Sequence, residues 1–207
     1  VSLRNARAVN SAGHLFFDSL RALALAIETK DPYASGGTDR VMHYTTLLAK
    51  RMDVPVTQMR ALEIAAMLHD IGMPSSCEPA FSAPRPLTTV ERGLLRMHPV
   101  VAAEILEQAP ALCEVAPIVY HHHEHYDGSG YVGGLSGDAI PQGARILAVA
   151  DAFVAMTSDR PYRSALSEDQ ALAELREKSG TQFDPAVVDA MIAIHSAGRS
   201  RVPGTSG

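Results

Sequence analysis

The sequence predicts an all-α domain, and three observations carry that prediction. Apolar residues recur at helical spacing in most segments, capping signals open several of them, and glycine and proline gather between them. Period-two alternation, the mark of half-buried strands, is scarce.

Each element follows from its own signals. Leu15 to Lys30 carries Leu15, Phe16, Leu20, Leu23, Ala24 and Ile27 at helical intervals, and Asp31-Pro32 stops it. A second helix follows Ser35-Gly36-Gly37-Thr38 and runs through Val41, Tyr44, Leu47 and Leu48. A third covers Val56 to Ile71, with Met59, Leu62, Ala66 and His69 along one side and Gly72 as its end. The proline- and serine-rich stretch Pro74 to Pro86 reads as a loop. Thr88-Thr-Val-Glu91 matches a capping box and starts a helix that ends near His98-Pro99, and Pro99 can open the next, to about Ala109. Another helix runs from about Leu112 into Tyr120-His-His-His-Glu-His125. The glycines of Asp127-Gly-Ser-Gly-Tyr-Val-Gly-Gly134 make a loop. An amphipathic helix spans Pro141 to Thr157, Ser167-Glu-Asp-Gln170 caps one closed by Gly180, and Asp184-Pro185 begins the last, through Ile194.

Composition narrows the function. The 207 residues suit one large domain or two small ones, and 46% hydrophobic with 20% charged residues excludes a disordered chain. No apolar run reaches the ~18 residues of a membrane span. A net charge of -5 offers no basic patch for duplex nucleic acid. Two cysteines, Cys77 and Cys113, cannot build a disulfide framework, which fits a reducing cytoplasm. The start at Val1 and the Ser/Gly-rich end from Val202 to Gly207 fit a piece of a longer chain. Nine histidines are many for this length, and four lie between Tyr120 and His125.

Potential metal ligands occur as His69-Asp70, His98, His122-His123 and Asp151. Imidazole with carboxylate suits Mn, Fe, Zn or Ni, and the lack of paired cysteines argues against a structural zinc site. Adjacent helical residues point ~100° apart, so His69 and Asp70 can flank one centre but cannot easily chelate one ion. A dinuclear site accommodates both, with a carboxylate bridging two ions about 3.5–4 Å apart that clamp the oxygens of a phosphoryl displacement. Singly, each feature has a plain structural explanation: a His-Asp pair at a helix end, a histidine before proline, a solvated histidine run. Asp151 on an apolar helix face is harder to dismiss, because a buried, unpaired carboxylate is costly.

The order of these parts carries a resemblance. His69-Asp-Ile-Gly72, Leu87-Thr88, His98-Pro99, His122-His-Glu124 and Asp127-Gly-Ser-Gly-Tyr131 resemble the motif series of the HD-GYP family, a branch of the HD-domain metal phosphohydrolases. Ile140-Pro141, Ala144-Arg-Ile146, Ala150-Asp151, Arg160-Pro-Tyr-Arg163 and Gly180 to Pro185 extend it. The resemblance implies a helical bundle of the HD-domain type over residues 31–207, behind a connecting helix at 1–30 and an upstream sensory module. It implies metal-dependent hydrolysis of a cyclic dinucleotide, cyclic di-GMP foremost, to the linear dinucleotide or GMP in bacterial signalling. Position by position, Asp70 becomes the bridging and catalytic carboxylate. His98, His122 and His123 become ligands of one divalent ion, and His69 and Asp151 serve the other. Arg160 and Arg163 hold substrate phosphates, where an Arg fork suits phosphate oxygens. Tyr131 packs near the substrate, and Asp127 braces the glycine loop. His121 and His125 stand outside the ligand set.

Three departures qualify that reading. Gly37 stands where the family has its first metal histidine, Met73 where it has a lysine, and Val132 where it has a proline. His43 lies roughly 240° around the helix from position 37 and Asp39 about 200°, so neither substitutes easily. A ligand from the Pro74–Pro86 loop, such as Glu78, is a further option. The sequence thus supports two readings: a phosphodiesterase with a weakly occupied second metal, or a degenerate domain that senses the ligand or engages a signalling partner through the Gly128–Gly134 loop. A general nucleotide phosphohydrolase is a third, disfavoured by the Gly-Tyr loop and by Arg160-Pro-Tyr-Arg163.

Overall fold

The computed structural model describes residues 3–28, 36–73, 85, 88–160 and 163–199. Helix α1 (Leu3–Glu28) leads into α2 (Gly37–Arg51) and α3 (Val56–Leu68). Helices α4 (Thr89–Leu95), α5 (His98–Glu107) and α6 (Ala116–Tyr120) follow, then α7 (Gln142–Met156), α8 (Glu168–Glu177) and α9 (Pro185–Arg199). Among the described residues there is no strand, only isolated bridges at Arg160–Arg163 and Ser179–Phe183. The fold is the all-α bundle that the sequence predicts.

Helices α2, α3 and α7 form the centre, with α2 packed on both of the others. In α3 the run Ile64–Leu68 is buried without a break, and α7 buries Ala144, Ile146, Leu147, Val149, Ala150, Phe153 and Val154. Helices this apolar on most sides belong inside a bundle. Around them α9 packs against α2, α7 and α8, while α6 joins α5 to α7. The last turns of α1 enter the same core through Leu20 and Ala24, and the Arg60 guanidinium lies 3.8 Å over the Phe17 ring.

Capping signals placed the helix starts well. Thr88 accepts from the Glu91 N–H and the Glu91 side chain returns to Thr88, and Ser167 with Gln170 repeats the arrangement. Helix ends are where expectation and structure part. The third helix stops at Leu68 rather than Ile71, as tight turns take over: the Ile71 N–H donates to the Leu68 carbonyl (3.0 Å) and the Met73 N–H to that of Asp70 (2.9 Å). The reason lies at Gly72, where any Cβ would strike the His98 carbonyl oxygen and sit 2.5 Å from the Ala102 nitrogen. Backbone meets backbone there, drawing the end of α3 onto the start of α5. The helix expected from Leu112 is a 3-10 turn (Pro110–Leu112) followed by α6, which ends at Tyr120, so His121 to His123 follow it as a turn. Helix α1 begins earlier than Leu15 and α9 runs past Ile194, since no strong breaker sits at either limit. Asp31-Pro32, Cys77, Glu78 with most of the Pro74–Pro86 loop, Leu87 and Pro161-Tyr162 lie outside the described residues.

Candidate metal centre

Three helix ends and the interior of a fourth helix deliver the site. His69 caps the C-terminus of α3, with Asp70 in the next turn. His98 opens α5, His122 and His123 follow α6, and Asp151 sits within α7. Three of the imidazoles are oriented by the turn they close. His69 Nδ1 lies 2.9 Å from the Ala66 carbonyl, His98 Nδ1 2.7 Å from that of Leu95 and His122 Nδ1 2.6 Å from that of Val119. A carbonyl can only accept, so in the neutral ring each Nδ1 carries the proton and each Nε2 keeps its lone pair. This backbone bond fixes the tautomer and ring direction of a metal ligand.

Those lone pairs converge. His98 Nε2 and His122 Nε2 are 3.4 Å apart, and with both Nδ1 atoms protonated neither can donate to the other. Two lone pairs held face to face suit a cation that both can ligate. His123 completes the group: the ligand atoms of His98, His122 and His123 all lie within 4.8 Å of one another. Asp70 spans this trio and the neighbouring pair. Its Oδ1 is 3.5 Å from His98 Nε2, its Oδ2 is 3.4 Å from His69 Nε2, and Asp151 Oδ1 lies 3.7 Å from the same His69 nitrogen. The Asp70 side chain is 46% exposed, so the carboxylate opens outward from the buried histidines.

Electrostatics prepare the ligating forms. Burial, with the neighbouring imidazoles of His123, His69 and His98, pushes His122 well below the ordinary histidine value. The same causes lower His123 to about 3, burial first and then His98. Both are neutral at pH 7. The surrounding protein opposes charge on Asp70, yet His69, His98, His123 and Arg160 together hold its carboxyl below the usual range. Asp151 goes the other way, raised by burial and by the charge of Asp70 against the pull of His69. Neutral nitrogens, an ionised Asp70 and a carboxylate that needs a counter-charge are what a divalent cation would find.

The glycine loop closes the site on one side. The Tyr131 N–H donates to the His123 carbonyl (3.1 Å), and its ring stacks on the His123 imidazole at 5.0 Å between centroids. Burial lifts the Tyr131 phenol to about 12, so it stays protonated. Asp127 braces the loop by accepting from the Ser129 N–H at 2.8 Å. Glu124, only a letter of the His-His-Glu motif to sequence reasoning, anchors the loop's far end. Its buried carboxylate accepts from the Gly133 N–H (2.6 Å) and the Gly134 N–H (3.1 Å), with His121 Nδ1 at 3.2 Å. An acid next to the histidine pair was the signal the sequence offered. His125 lies beside Ser129, its Nδ1 2.9 Å from the hydroxyl.

The two arginines differ. Arg160 is close enough for its charge to act on both Asp70 and Asp151. Arg163 is exposed and donates to the Ala155 carbonyl at 2.9 Å, so the structure seats it on the end of α7. At the start of α2, Gly37 brings no side-chain donor. Asp39 is paired with Arg21 at 2.9 Å and His43 is exposed beside Tyr44, so neither fills the place.

Residues 21–187 match the family model for the HD domain. The chain is 41% identical over 177 residues to a cyclic di-GMP phosphodiesterase response regulator of Xanthomonas campestris pv. campestris, covering 84% of the chain and 47% of that protein. It is 34% identical over 164 residues to a 3'3'-cGAMP-specific phosphodiesterase of Vibrio cholerae, covering 79% and 36%. The chain thus spans less than half the length of these curated relatives. Among solved structures, a cyclic GMP-AMP specific phosphodiesterase of V. cholerae shares the fold with a TM-score of 0.64 at 18% identity, over 87% of this chain and 49% of that one.

Proposed function

The chain belongs to the HD domain family, in the HD-GYP branch whose motif series it carries, and from that premise we propose that it hydrolyses a cyclic dinucleotide, cyclic di-GMP foremost, in bacterial second-messenger signalling. The observation that carries this reading is the convergence of the His98, His122 and His123 nitrogens, with Asp70 reaching from that trio towards His69. His98, His122, His123 and Asp70 would hold one divalent metal, and His69, Asp151 and Asp70 a second, from among Mn, Fe, Zn and Ni. Such metals, when bound, polarise a phosphoryl oxygen and acidify a bound water.

The chain's own residues supply the rest. Asp70 stays ionised under three imidazoles and Arg160, ready to bridge. Arg160 faces the same carboxylates and would meet the anionic phosphate there, with Arg163 joining only if its guanidinium leaves the Ala155 carbonyl. Tyr131, neutral and stacked on His123, would form the wall against which the nucleotide packs. Glu124 and Asp127 keep that wall in place.

A second reading rests on Gly37 and Met73: a domain that binds the nucleotide and no longer turns it over, passing the signal to a protein partner through the Gly128–Gly134 loop. In either case we place its action in the cytoplasm, downstream of a sensory module, with residues 1–30 as the connecting helix and residues 31–207 as the domain. The described helices include none long and apolar enough to cross a membrane. The test is incubation of purified protein, supplied with Mn²⁺ or Fe²⁺, with cyclic di-GMP and cyclic GMP-AMP. Slow appearance of the linear dinucleotide is expected. Binding without turnover would favour the second reading, and neither binding nor turnover would sink both.

A further inference from the structure

Arg96 caps the end of α4, two residues before the ligand His98, and its side chain is exposed. Its guanidinium carbon lies 4.6 Å from the centroid of the Tyr131 ring, which in turn stacks on His123. The Arg96 backbone N–H closes the helix on the Arg92 carbonyl at 3.0 Å, while among the described residues its side chain makes no hydrogen bond or ion pair. Here the aromatic face holds the cation in place while its N–H groups stay available.

The charge arithmetic gives those donors a task. A cyclic dinucleotide carries two phosphodiester anions, and only one can occupy the reacting position at a time. Arg160 lies close to Asp70 and Asp151, at the reacting end. Arg163 is engaged with the Ala155 carbonyl, and position 73, where a lysine would have added charge, is Met. The backbones of Gly72 and His98 are in direct contact, so the chain that lost a cation at position 73 runs beside the chain that presents Arg96.

We infer that Arg96 is a substrate-binding residue, its guanidinium taking the phosphate of the cyclic dinucleotide that is not being cleaved. The inference rests on the reading of the site as a cyclic-dinucleotide pocket and holds whether or not the bound nucleotide is turned over. Arg96→Met keeps an apolar stem over Tyr131 and removes the charge. Its Kd for the tightest of cyclic di-GMP, cyclic GMP-AMP and cyclic di-AMP, or its KM if that nucleotide is turned over, should rise about 10–100-fold, the equivalent of one charged hydrogen bond. Arg96→Lys, which keeps the charge but loses the planar fork stacked on Tyr131, should fall between native and the Met variant. Mn²⁺ affinity and melting temperature should be unchanged in both, because Arg96 touches no ligand. If the Met variant fails to fold, Arg96→Gln carries the same expectation. Unchanged nucleotide affinity would overturn the inference, as would a loss matched by an equal loss of Mn²⁺ affinity, which would make Arg96 a support for the His123–Tyr131 stack. A native chain that binds none of the three nucleotides would remove the pocket reading itself, and this inference with it.

Discussion

His98, His122 and His123 bring their ligand atoms together from separate elements, two of them locked by a backbone carbonyl, whereas the neighbouring half of the centre rests on His69 and Asp151 beside the shared Asp70. The two halves are assembled by the same device, a histidine at a helix end whose Nδ1–H is spent on the turn behind it. They differ in the number of donors. The family pattern would add an imidazole at position 37, and a glycine opens α2 there instead. On the proposed reading, buried helices hold the remaining donors in place although position 37 brings none.

The sharpest way to break this comparison is to remove one histidine from each half. His98→Ala should reduce metal affinity and any phosphodiesterase activity by well over the ~10–100-fold typical of an outer-shell partner. His69→Ala should cost less, since its ion is already short of a donor. Equal losses, read by metal analysis and initial rates on folded variants, would erase the distinction. Restoring the weaker half is the converse. Gly37→His with Met73→Lys should raise turnover about tenfold or more, by completing coordination and adding a cation where charge develops. Gly36, which adopts a φ of 76° before α2, stays untouched, so the melting temperature should barely move. A folded double variant no faster than native would favour the sensor reading.

A smaller effect separates the halves by pH. In the metal-free fold His122 and His123 are held neutral, His123 down to about 3, while the unfolded chain protonates both near 6.5. The unfolded state then binds more protons between those values, so stability falls as pH drops from about 6.5 towards 3. The melting temperature of the metal-free protein should decline over that window, and His123→Gln should flatten the decline. A melting temperature level from pH 7 to 4 would contradict it.

Much of this was legible in the sequence. Capping boxes at Thr88 and Ser167 and the glycine loop after Asp127 are local signals, and local chemistry decided them. The order of His69-Asp70, His98, His122-His123 and Asp151 pointed to one centre, and the fold gathers them. What the sequence concealed depends on distant partners. The early end of α3 comes from the approach of Gly72 to α5, the seat of Arg163 from a carbonyl on α7, and the role of Glu124 from N–H groups nine and ten residues on. Periodicity within one element carries no record of such contacts. Arg96 was hidden for the same reason, since only the folded chain brings it over Tyr131.

The inequality of the halves is tested most directly by a calorimetric Mn²⁺ titration of the metal-stripped native chain near neutral pH. The ligand sets call for one tight site, abolished by His98→Ala, and a second weaker by about tenfold or more, given that even outer-shell losses reach that size. Two sites of equal affinity, or a tight site that survives His98→Ala, would contradict the account.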